Sequence, residues 1–413
     1  MLNRELIEYE PVVGKAVLDQ LHQLASSLTG MSVVHVNSTR VGGGVAEILT
    51  WMVPFLKELG IDASWEVIEG NADFFRATKT LHNGFQGSSV NLTSSDMKAY
   101  EQTNEENAER LRLILEAADA VFIHDPQPAA LLPLCPNRGG KWIWRCHIDA
   151  SHPNRQVWKY LRRFLADYDA SIFSLYSFSR YLDHPQFIIA PSIDPLSDKN
   201  CELDDYEIEK IYSRFGLDKN RPLLAQISRF DRFKDPVGVI KAFRIVQDFA
   251  PAQLVLAGGE ANDDPEGEAD LNEVREEAGD DEDIHILLLP GDAHRTINAL
   301  QRVSDIIIQK STREGFGLTV TEGLWKSKPV IGGNTGGIVL QLMNHYTGFL
   351  VNTPEGAAHR IRYLLQHRGR MRLMGEKGKE FVRENFLLTR HLREYLTLLL
   401  GLKKGFTNRL IAA

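Results

Sequence analysis

The sequence predicts an α/β protein with two doubly wound domains. Short apolar runs rich in β-branched residues alternate with longer amphipathic patterns, and this alternation occurs in two blocks along the 413 residues. A strand–helix–strand rhythm implies a parallel sheet with helices on both faces. A chain of this length is also longer than one hydrophobic core usually serves, which favours two domains.

The first block begins with a strand at 31–37 and an amphipathic helix at 45–60, which ends at Gly60. The same patterns continue to residue 175. They predict strands at 63–70, 119–125, 141–149 and 170–175, with helices at 105–118 and 157–168.

The rhythm stops after 187–195, where a polar, charge-rich stretch indicates a linker and one helix. It then restarts with a second set of apolar runs. These predict strands at 223–230, 252–259, 283–291, 305–311 and 329–334.

We therefore predict an N-terminal Rossmann-like domain over 1–195 and a C-terminal one over 196–385. The two domains are expected to face each other across a cleft. An amphipathic pattern at 390–402 predicts a final helix. The sequence alone does not place it, and the segment from about 386 to 413 could return to pack on the N-terminal domain.

The composition is that of an ordinary globular protein, with 43% hydrophobic and 25% charged residues. The net charge of −8 argues against a nucleic-acid binder. The three cysteines form no metal or disulfide pattern, and no apolar run reaches the ~20 residues that cross a bilayer. The charged N-terminus does not resemble a signal peptide. We expect a cytoplasmic protein without a membrane partner, and a homodimer stays open.

Ligands of open parallel sheets bind beyond the carboxyl ends of the strands, so the loops there are the candidates for chemistry. After the strand at 31–37, Gly42, Gly43 and Gly44 open a helix. Glycine lets a ligand approach the backbone, and the helix N-terminus attracts phosphate. The spacing matches neither the dinucleotide fingerprint nor the P-loop, and a plain flexible turn is the alternative.

Basic residues follow the strand at 223–230, where Arg229, Arg232 and Lys234 fall within six positions. A guanidinium and an ammonium suit the two phosphates of a nucleoside diphosphate. A solvated charged loop is the alternative.

Two glutamates, Glu314 and Glu322, flank the bend that follows the strand at 305–311. Carboxylates accept hydrogen bonds from vicinal hydroxyls, so Glu322 could hold a ribose and Glu314 a sugar. Alternatively, Glu322 only complements a helix dipole and Glu314 is solvated. The bend itself, from Gly315 through Phe316 and Gly317 to Leu318, would line the same site.

Polar residues also end two strands of the N-terminal domain. Asp125 and Gln127 follow the strand at 119–125, while His147, Asp149 and Asn154 belong to the end of 141–149 and its loop. Such side chains can hold sugar hydroxyls, although a lone strand histidine is more often structural. His147 is in no zinc-binding pattern, and the sequence has no DxD-like pair at a strand end, so no metal site is predicted.

The E-x7-E spacing, preceded by the Arg229…Lys234 pair, resembles the retaining glycosyltransferases of family 4, which have the GT-B fold. Several segments are most similar to the trehalose-forming glycosyltransferases within that family, and more distantly to its trehalose phosphorylases. Those segments are VVHVNSTRVGGGVAEIL, HDPQPAAL, WRCHID, SIDPLSDKN and REGFGLTVTE.

The resemblance implies a role for each matching residue. Arg229 and Lys234 would hold the donor diphosphate, and Gly43 and Gly44 would approach the diphosphate or the donor sugar. The remaining roles concern the sugars and the ribose. Glu314 and His147 would contact the donor glucose, Glu322 the ribose, and the acceptor site would include Asp125, Gln127, His147, Asp149 and Asn154.

Two positions depart from the family pattern. Asp235 stands where many members have glycine, and Gln341 where many have glutamate. The resemblance further implies retention by front-face attack, transfer of glucose from ADP-, UDP- or GDP-glucose to free glucose, and no required cofactor. The residues leave other possibilities open: a trehalose phosphorylase, a related glucosyltransferase with another acceptor, an epimerase, or a sugar-nucleotide-binding regulatory protein without turnover.

Overall fold

The computed structural model describes residues 4–40, 43–259 and 265–405. The chain divides into two compact units. Unit 1 runs from Met1 to Pro191 and resumes at Leu388, and unit 2 comprises Ser192–Leu387. Residues 406–413 of the predicted C-terminal segment lie outside the described residues.

The described part of unit 1 contains one six-stranded sheet in the order β2-β1-β3-β4-β5-β6. Every neighbouring pair is parallel. The strands are β1 (Ser32–Asn37), β2 (Asp62–Val67), β3 (Ala120–His124), β4 (Lys141–Arg145), β5 (Ala170–Phe173) and β6 (Gln186–Ile188).

Helices cover both faces of this sheet, because its strands are apolar on both sides. The helices of unit 1 are α1 (Glu10–Val13), α2 (Lys15–Ser26), α3 (Gly44–Glu58), α4 (Ala72–Phe85), α5 (Ser94–Ala117), α6 (Arg155–Leu165) and the C-terminal α15 (Leu388–Lys403). Short 3-10 turns join them at Leu6–Tyr9, Ala129–Leu134 and Tyr176–Phe178.

The C-terminal helix α15 packs within unit 1. Lys403 donates a hydrogen bond from Nζ to the Ser27 carbonyl at 2.9 Å. On the sheet, the Tyr395 ring stacks on Phe122 of β3, with 5.0 Å between the ring centres. The opposite face of β4 buries Trp142 and Trp144 in the hydrophobic core.

The described part of unit 2 contains a second six-stranded sheet in the order β12-β11-β10-β7-β8-β9, again parallel throughout. Its strands are β7 (Leu223–Ile227), β8 (Gln253–Gly259), β9 (Ile284–Leu289), β10 (Ile306–Gln309), β11 (Val330–Gly333) and β12 (Gly348–Val351). The α/β class with two doubly wound sheets is therefore confirmed.

The helices of unit 2 follow the strands in alternation, and a 3-10 turn at Arg232–Lys234 precedes the second of them. They are α7 (Asp205–Phe215), α8 (Pro236–Gln247), α9 (Pro265–Ala278), α10 (His294–Val303), α11 (Leu318–Trp325), α12 (Ile338–Gln341), α13 (Pro354–Gln366) and α14 (Arg368–Asn385). Among the described residues, no helix combines the length and apolar character that crossing a bilayer requires.

Each sheet has one point at which the strand order reverses direction. In unit 1 it lies between β1 and β3, and in unit 2 between β7 and β10. Loops that leave neighbouring strands in opposite directions open a crevice there, which is where open α/β sheets bind ligands.

Candidate active site

Lys234 and Glu314 meet at the strand-order reversal of unit 2. Lys234 lies in the turn after β7 and Glu314 in the loop after β10, and the Nζ–Oε2 distance is 2.5 Å. The Thr312 N–H donates to the Phe233 carbonyl at 2.8 Å, which ties the two loops together. The Ser311 hydroxyl donates to the same Glu314 oxygen at 3.2 Å. The structure thus brings two of the predicted donor-site residues into one charge-assisted pair.

Arg229 occupies a different environment from Lys234. Its side chain is 80% exposed, and its Nη2 lies 3.3 Å from Oδ2 of Asp231. An ion pair this exposed contributes little to stability because solvent screens it. The Arg229 guanidinium is therefore accessible to a ligand at little cost.

The bend between Glu314 and α11 depends on Gly317. This residue has φ of 83° and is the N-cap of α11. A Cβ atom here would lie 3.1 Å from Cγ of Glu314, so a side chain would press on the carboxylate. Phe316 is buried and packs edge to face on Phe386, with 5.6 Å between the rings. Gly315 accepts a backbone hydrogen bond from Gly337 at 3.1 Å.

Glu322 is a buried residue of α11, with 4% of its surface exposed. Gln301 donates from Nε2 to Oε2 of Glu322 at 3.0 Å, and Lys199 Nζ lies 4.0 Å from Oε1. A carboxylate buried this deeply has to be paired, and these two groups meet that need. The polar partners of Glu322 therefore differ from those of Glu314.

Asp235, one of the two departures from the pattern that the resemblance implies, has a structural role. Its φ is 54°, in the left-handed region that glycine adopts most easily. The aspartate side chain caps α8, since Oδ1 accepts the Gly238 N–H at 3.1 Å. Its other oxygen pairs with the buried Lys310 ammonium.

Gln341, the other departure from the pattern that the resemblance implies, holds the bend through its amide group. Its Nε2 donates to the carbonyls of Phe316 at 2.6 Å and Gly337 at 3.2 Å, and its Oε1 accepts the Thr321 hydroxyl at 2.5 Å. An ionised glutamate has no N–H to donate, so the glutamine holds the bend by contacts that a carboxylate lacks.

The glycine-rich loop of unit 1 is described only in part. Gly42 lies outside the described residues, whereas Gly43 is the N-cap of α3 with φ of 82°, and Gly44 begins the helix. Among the described residues, a Cβ on Gly43 would meet no atom within 4 Å, so this side of its backbone is open to a ligand.

Asp125 joins the ends of β3 and β4. Its Oδ1 accepts the His147 backbone N–H at 2.7 Å, and its carbonyl accepts the Trp144 indole N–H at 3.0 Å. This contact turns the chain at His147, so β4 ends at Arg145 and not at 149 as predicted. Burial raises the pKa of the Asp125 carboxyl to about 7, against the opposing effects of the His147 hydrogen bond and the Arg145 charge.

His147 is the outer member of a chain of three histidines. His35 Nδ1 lies 3.1 Å from His124 Nε2, and His124 Nδ1 lies 3.0 Å from His147 Nε2. Burial lowers the pKa of each ring, that of His35 to about 3. Sequence reasoning missed His35 and His124. The sequence feature that could have revealed them is one histidine in each of β1 and β3, the two strands that flank the strand-order reversal.

Arg145 is a further residue that the sequence did not single out. It is fully buried on the same sheet face, and its Nη2 donates to the Ser174 hydroxyl at 3.4 Å. Within the described residues, its Nε and Nη1 have no hydrogen-bond partner. Burial lowers the pKa of this guanidinium, although Tyr395 and Asp125 act in the opposite direction.

The other predicted acceptor residues serve local structure through part of each side chain. Asp149 Oδ1 accepts the Ser151 N–H at 2.9 Å, and Asn154 Oδ1 caps α6 by accepting the Gln156 N–H at 2.9 Å. The Oε1 atom of Gln127 is buried without a hydrogen-bond partner in the part of the chain that the structure describes. Gln127 therefore retains one hydrogen-bond acceptor without a partner among the described residues.

Metal ligands do not cluster in the described ranges, where no three His, Cys, Asp or Glu side chains are arranged to hold an ion. The acidic stretch at 262–268 lies partly outside them, since residues 260–264 are not described.

Two family profiles match consecutive parts of the chain. Residues 35–180 match the N-terminal domain of trehalose synthase, and residues 207–381 match the glycosyl transferases group 1. A trehalose synthase of Pyrococcus horikoshii is 46% identical over 96% of this chain and 96% of its own length. One from Rubrobacter xylanophilus is 42% identical with the same coverage. The chain belongs to the trehalose synthase family. It is a hexosyltransferase, and the predicted family and enzyme class are confirmed.

Other similarities are more distant. A trehalose phosphorylase of Pleurotus pulmonarius is 28% identical over 86% of this chain and 55% of its own length. An E. coli structure described as trehalose-6-phosphate bound with UDP-2-fluoro glucose has a TM-score of 0.74 at 14% identity, covering 89% of this chain and 98% of that one. An α,α-trehalose-phosphate synthase of Burkholderia xenovorans, in complex with glucose-6-phosphate, has a TM-score of 0.73 at 14% identity, covering 90% and 100%. These structures share the GT-B fold with members of the trehalose synthase family.

Proposed function

We propose that this protein transfers glucose from a nucleoside diphosphate glucose to free glucose and forms α,α-trehalose, reversibly and with retention at the donor carbon. The observation that carries the proposal is the Lys234–Glu314 pair at the strand-order reversal of unit 2. It supplies one cation and one carboxylate to a ligand that carries both a diphosphate and a sugar. Membership of the trehalose synthase family gives the sugar its identity.

The donor is held mainly by residues of unit 2. Lys234 moves from Glu314 to the diphosphate, and Arg229 adds a second cation from its exposed position. Glu314, released from the ammonium, accepts hydrogen bonds from the glucose hydroxyls. Glu322 accepts those of the ribose, while Gly43 and Gly44 approach the donor with backbone N–H groups.

The bend 315–318 lines the donor pocket. Because Gly317 has no side chain, the space beside Glu314 stays open. On unit 1, the acceptor glucose is bound by side chains that follow β3 and β4. These are Asp125, Gln127, His147, Asp149 and Asn154, of which His147 also contacts the donor glucose.

The transfer step needs no protein nucleophile in this proposal. The anomeric hydroxyl oxygen of the acceptor attacks C1 of the donor glucose from the face that the diphosphate leaves. The C1–O bond to phosphate breaks, the new glycosidic bond forms, and the acceptor proton passes to the departing phosphate oxygen. The enzyme contributes orientation and stabilises the charge that develops on the diphosphate, mainly through Lys234.

Several finer points belong to the same proposal. The donor is ADP-, UDP- or GDP-glucose, the reaction requires no cofactor or metal, and the protein works in the cytoplasm without a nucleic-acid or membrane partner. Phosphorolysis of trehalose is the second candidate, because Lys234 and Arg229 could also hold free phosphate. The 28% identity to a trehalose phosphorylase, against 46% to a synthase, favours transfer from a nucleotide sugar.

The experiment presents the protein with each NDP-glucose plus glucose, and in parallel with glucose 1-phosphate plus glucose. We expect disaccharide together with equimolar NDP in the first set and no phosphate release in the second. In the reverse direction, trehalose cleavage should need NDP. Cleavage that depends on inorganic phosphate and ignores NDP would establish the phosphorylase instead.

A further inference from the structure

The three-histidine chain of unit 1 runs from the core of the sheet to its carboxyl edge. His35 is fully buried in β1 and His124 is almost fully buried in β3, while His147, beyond the end of β4, is partly exposed. His35 pairs in register with Phe122, and His124 with Arg145, so the strands fix the ring positions. The chain therefore has one closed end at His35 and one open end at His147.

The rings are neutral because of what surrounds them. Burial lowers the pKa of all three, and the Arg145 guanidinium adds to that effect at His124 and His147. From α15, His391 and Tyr395 face the same group, and the pKa of His391 is itself lowered by burial. A neutral imidazole has one N–H and one acceptor nitrogen.

Two hydrogen bonds in series through neutral rings allow only two arrangements. In the first, His35 Nδ1–H donates to His124 and His124 Nδ1–H donates to His147, which leaves the His147 proton on Nδ1. In the second, every bond is reversed and His147 carries its proton on Nε2. The tautomer of His147 is thus tied to the tautomer of His35, two rings away.

The closed end of the chain decides between them. Nε2 of His35 is buried and has no hydrogen-bond partner among the described residues. The first arrangement leaves an acceptor nitrogen there, and the second leaves an N–H. In protein interiors, buried N–H groups without a partner are rarer than buried acceptors without a partner. This difference favours the first arrangement. Stacking of His35 on Phe122, with ring centres 4.8 Å apart, keeps the ring from turning to another partner.

We propose that His124 is a positioning residue that holds His147 as its Nδ1–H tautomer, with His35 setting the direction of the chain. His147 then offers a hydrogen-bond donor, and not a base, to the reacting sugar. The identity of that sugar rests on the proposed function, whereas the tautomer does not.

Ring nitrogen chemical shifts from long-range ¹H–¹⁵N NMR of the ligand-free protein test the tautomer directly. We expect His147, His124 and His35 each to show a protonated Nδ1 and an unprotonated Nε2. Neutral histidine in water prefers the Nε2–H form, so this pattern is distinctive. An Nε2–H form at His147, or a charged ring at neutral pH, would overturn the proposal.

Two variants of His124 separate positioning from packing. Asparagine can place its Nδ2–H near the position of the imidazole Nδ1–H, whereas phenylalanine fills the space without a donor. We expect His124→Phe to shift His147 towards Nε2–H and to lower kcat about tenfold, the effect of one lost hydrogen bond. His124→Asn should retain the Nδ1–H signal and most of the activity, and His285→Asn in unit 2 serves as the control.

The outcomes distinguish this inference from the proposed function. Trehalose formation with an Nε2–H signal at His147 would contradict the inference alone. An Nδ1–H signal in a protein that transfers no glucose would contradict the proposed function alone. Equal loss of activity in His124→Phe and His124→Asn, with His147 unchanged in both spectra, would reduce His124 to a packing residue and overturn the positioning role.

Discussion

Lys234 and Glu314 form an ion pair with 2.5 Å between Nζ and Oε2, although 80 positions separate them in the sequence. The pair exists because β7 and β10 are neighbours at the strand-order reversal of unit 2, so that the loops after them meet. In this pair each side chain satisfies the other. Donor binding would replace this contact with one to phosphate and one to sugar hydroxyls.

Replacing Lys234 by alanine should therefore impair catalysis. Loss of a charge-assisted contact to the leaving group should lower kcat/KM by ~2–4 kcal/mol of transition-state stabilisation. Steady-state kinetics measure this, and thermal unfolding reports the separate cost of leaving Glu314 unpaired. Lys241→Ala, an exposed lysine on α8, is the control. Wild-type kcat/KM in a folded Lys234→Ala protein would refute the assignment.

The raised pKa of Asp125 predicts that the stability of the folded protein depends on pH. The pKa of this carboxyl is about 7 in the folded protein, compared with an ordinary value of 3.8. Between these two pH values the carboxyl is protonated in the folded state and ionised in the unfolded state. The contribution of Asp125 to the stability of the folded protein therefore falls as pH rises from about 4 to 7. Asp125→Asn removes the titration, keeps the acceptor for the His147 N–H and tolerates the positive φ of 64°.

The melting temperature of Asp125→Asn minus that of the wild type should consequently increase as the pH is raised from pH 5 to pH 8. Differential scanning calorimetry at several pH values measures this difference. Asp280→Asn, an exposed residue, should show none. A difference independent of pH at position 125 would show that the carboxyl does not titrate in this range.

Three variants of Asp235 should separate the interactions of this residue. Asp235→Asn keeps the α8 cap and tolerates the left-handed backbone, so it removes only the charge that pairs with Lys310. Asp235→Gly removes the cap as well, at a cost of about a few tenths of a kcal/mol, and Asp235→Ala adds roughly 1 kcal/mol of backbone strain. Denaturant unfolding should rank stability as wild type, Asn, Gly, Ala. A glycine variant at least as stable as wild type would show that the cap and ion pair contribute nothing.

Gln341→Glu introduces the residue that the family resemblance implies at this position, and it should be harmful here. The ionised carboxylate would face the carbonyls of Phe316 and Gly337 without an N–H to donate. We expect the bend beside Glu314 to shift, with a loss of about 1–3 kcal/mol of stability and a higher KM for the donor. Gln301→Glu and Gln102→Glu are not suitable controls because they would face Glu322 and Glu106, whereas the exposed Gln366→Glu is suitable. Unchanged donor KM in Gln341→Glu would contradict the holding role.

The sequence predicted most of the strands because buried parallel strands are continuous apolar runs. It missed β6 and β12, which have three and four residues and too little pattern to recognise. It also missed α4, whose single buried face is interrupted by polar positions.

Within the candidate site, loop position at a strand end was sufficient to single out Lys234 and Glu314. The burial of Glu322 by Gln301 and Lys199 could not be predicted, because those partners come from distant segments. His35 and His124 were equally hidden. Each is a lone strand histidine until the register of β1, β3 and β4 brings the rings together.

The product of the transfer tests the central claim most directly. The protein is incubated with NDP-glucose and glucose carrying ¹³C at C1, and the disaccharide is examined by NMR. We predict that the labelled carbon becomes an α-linked acetal in a non-reducing sugar whose two rings give one anomeric signal. A labelled carbon that remains a free reducing end would contradict trehalose formation, and the absence of any disaccharide with every NDP-glucose would contradict glucosyl transfer to glucose.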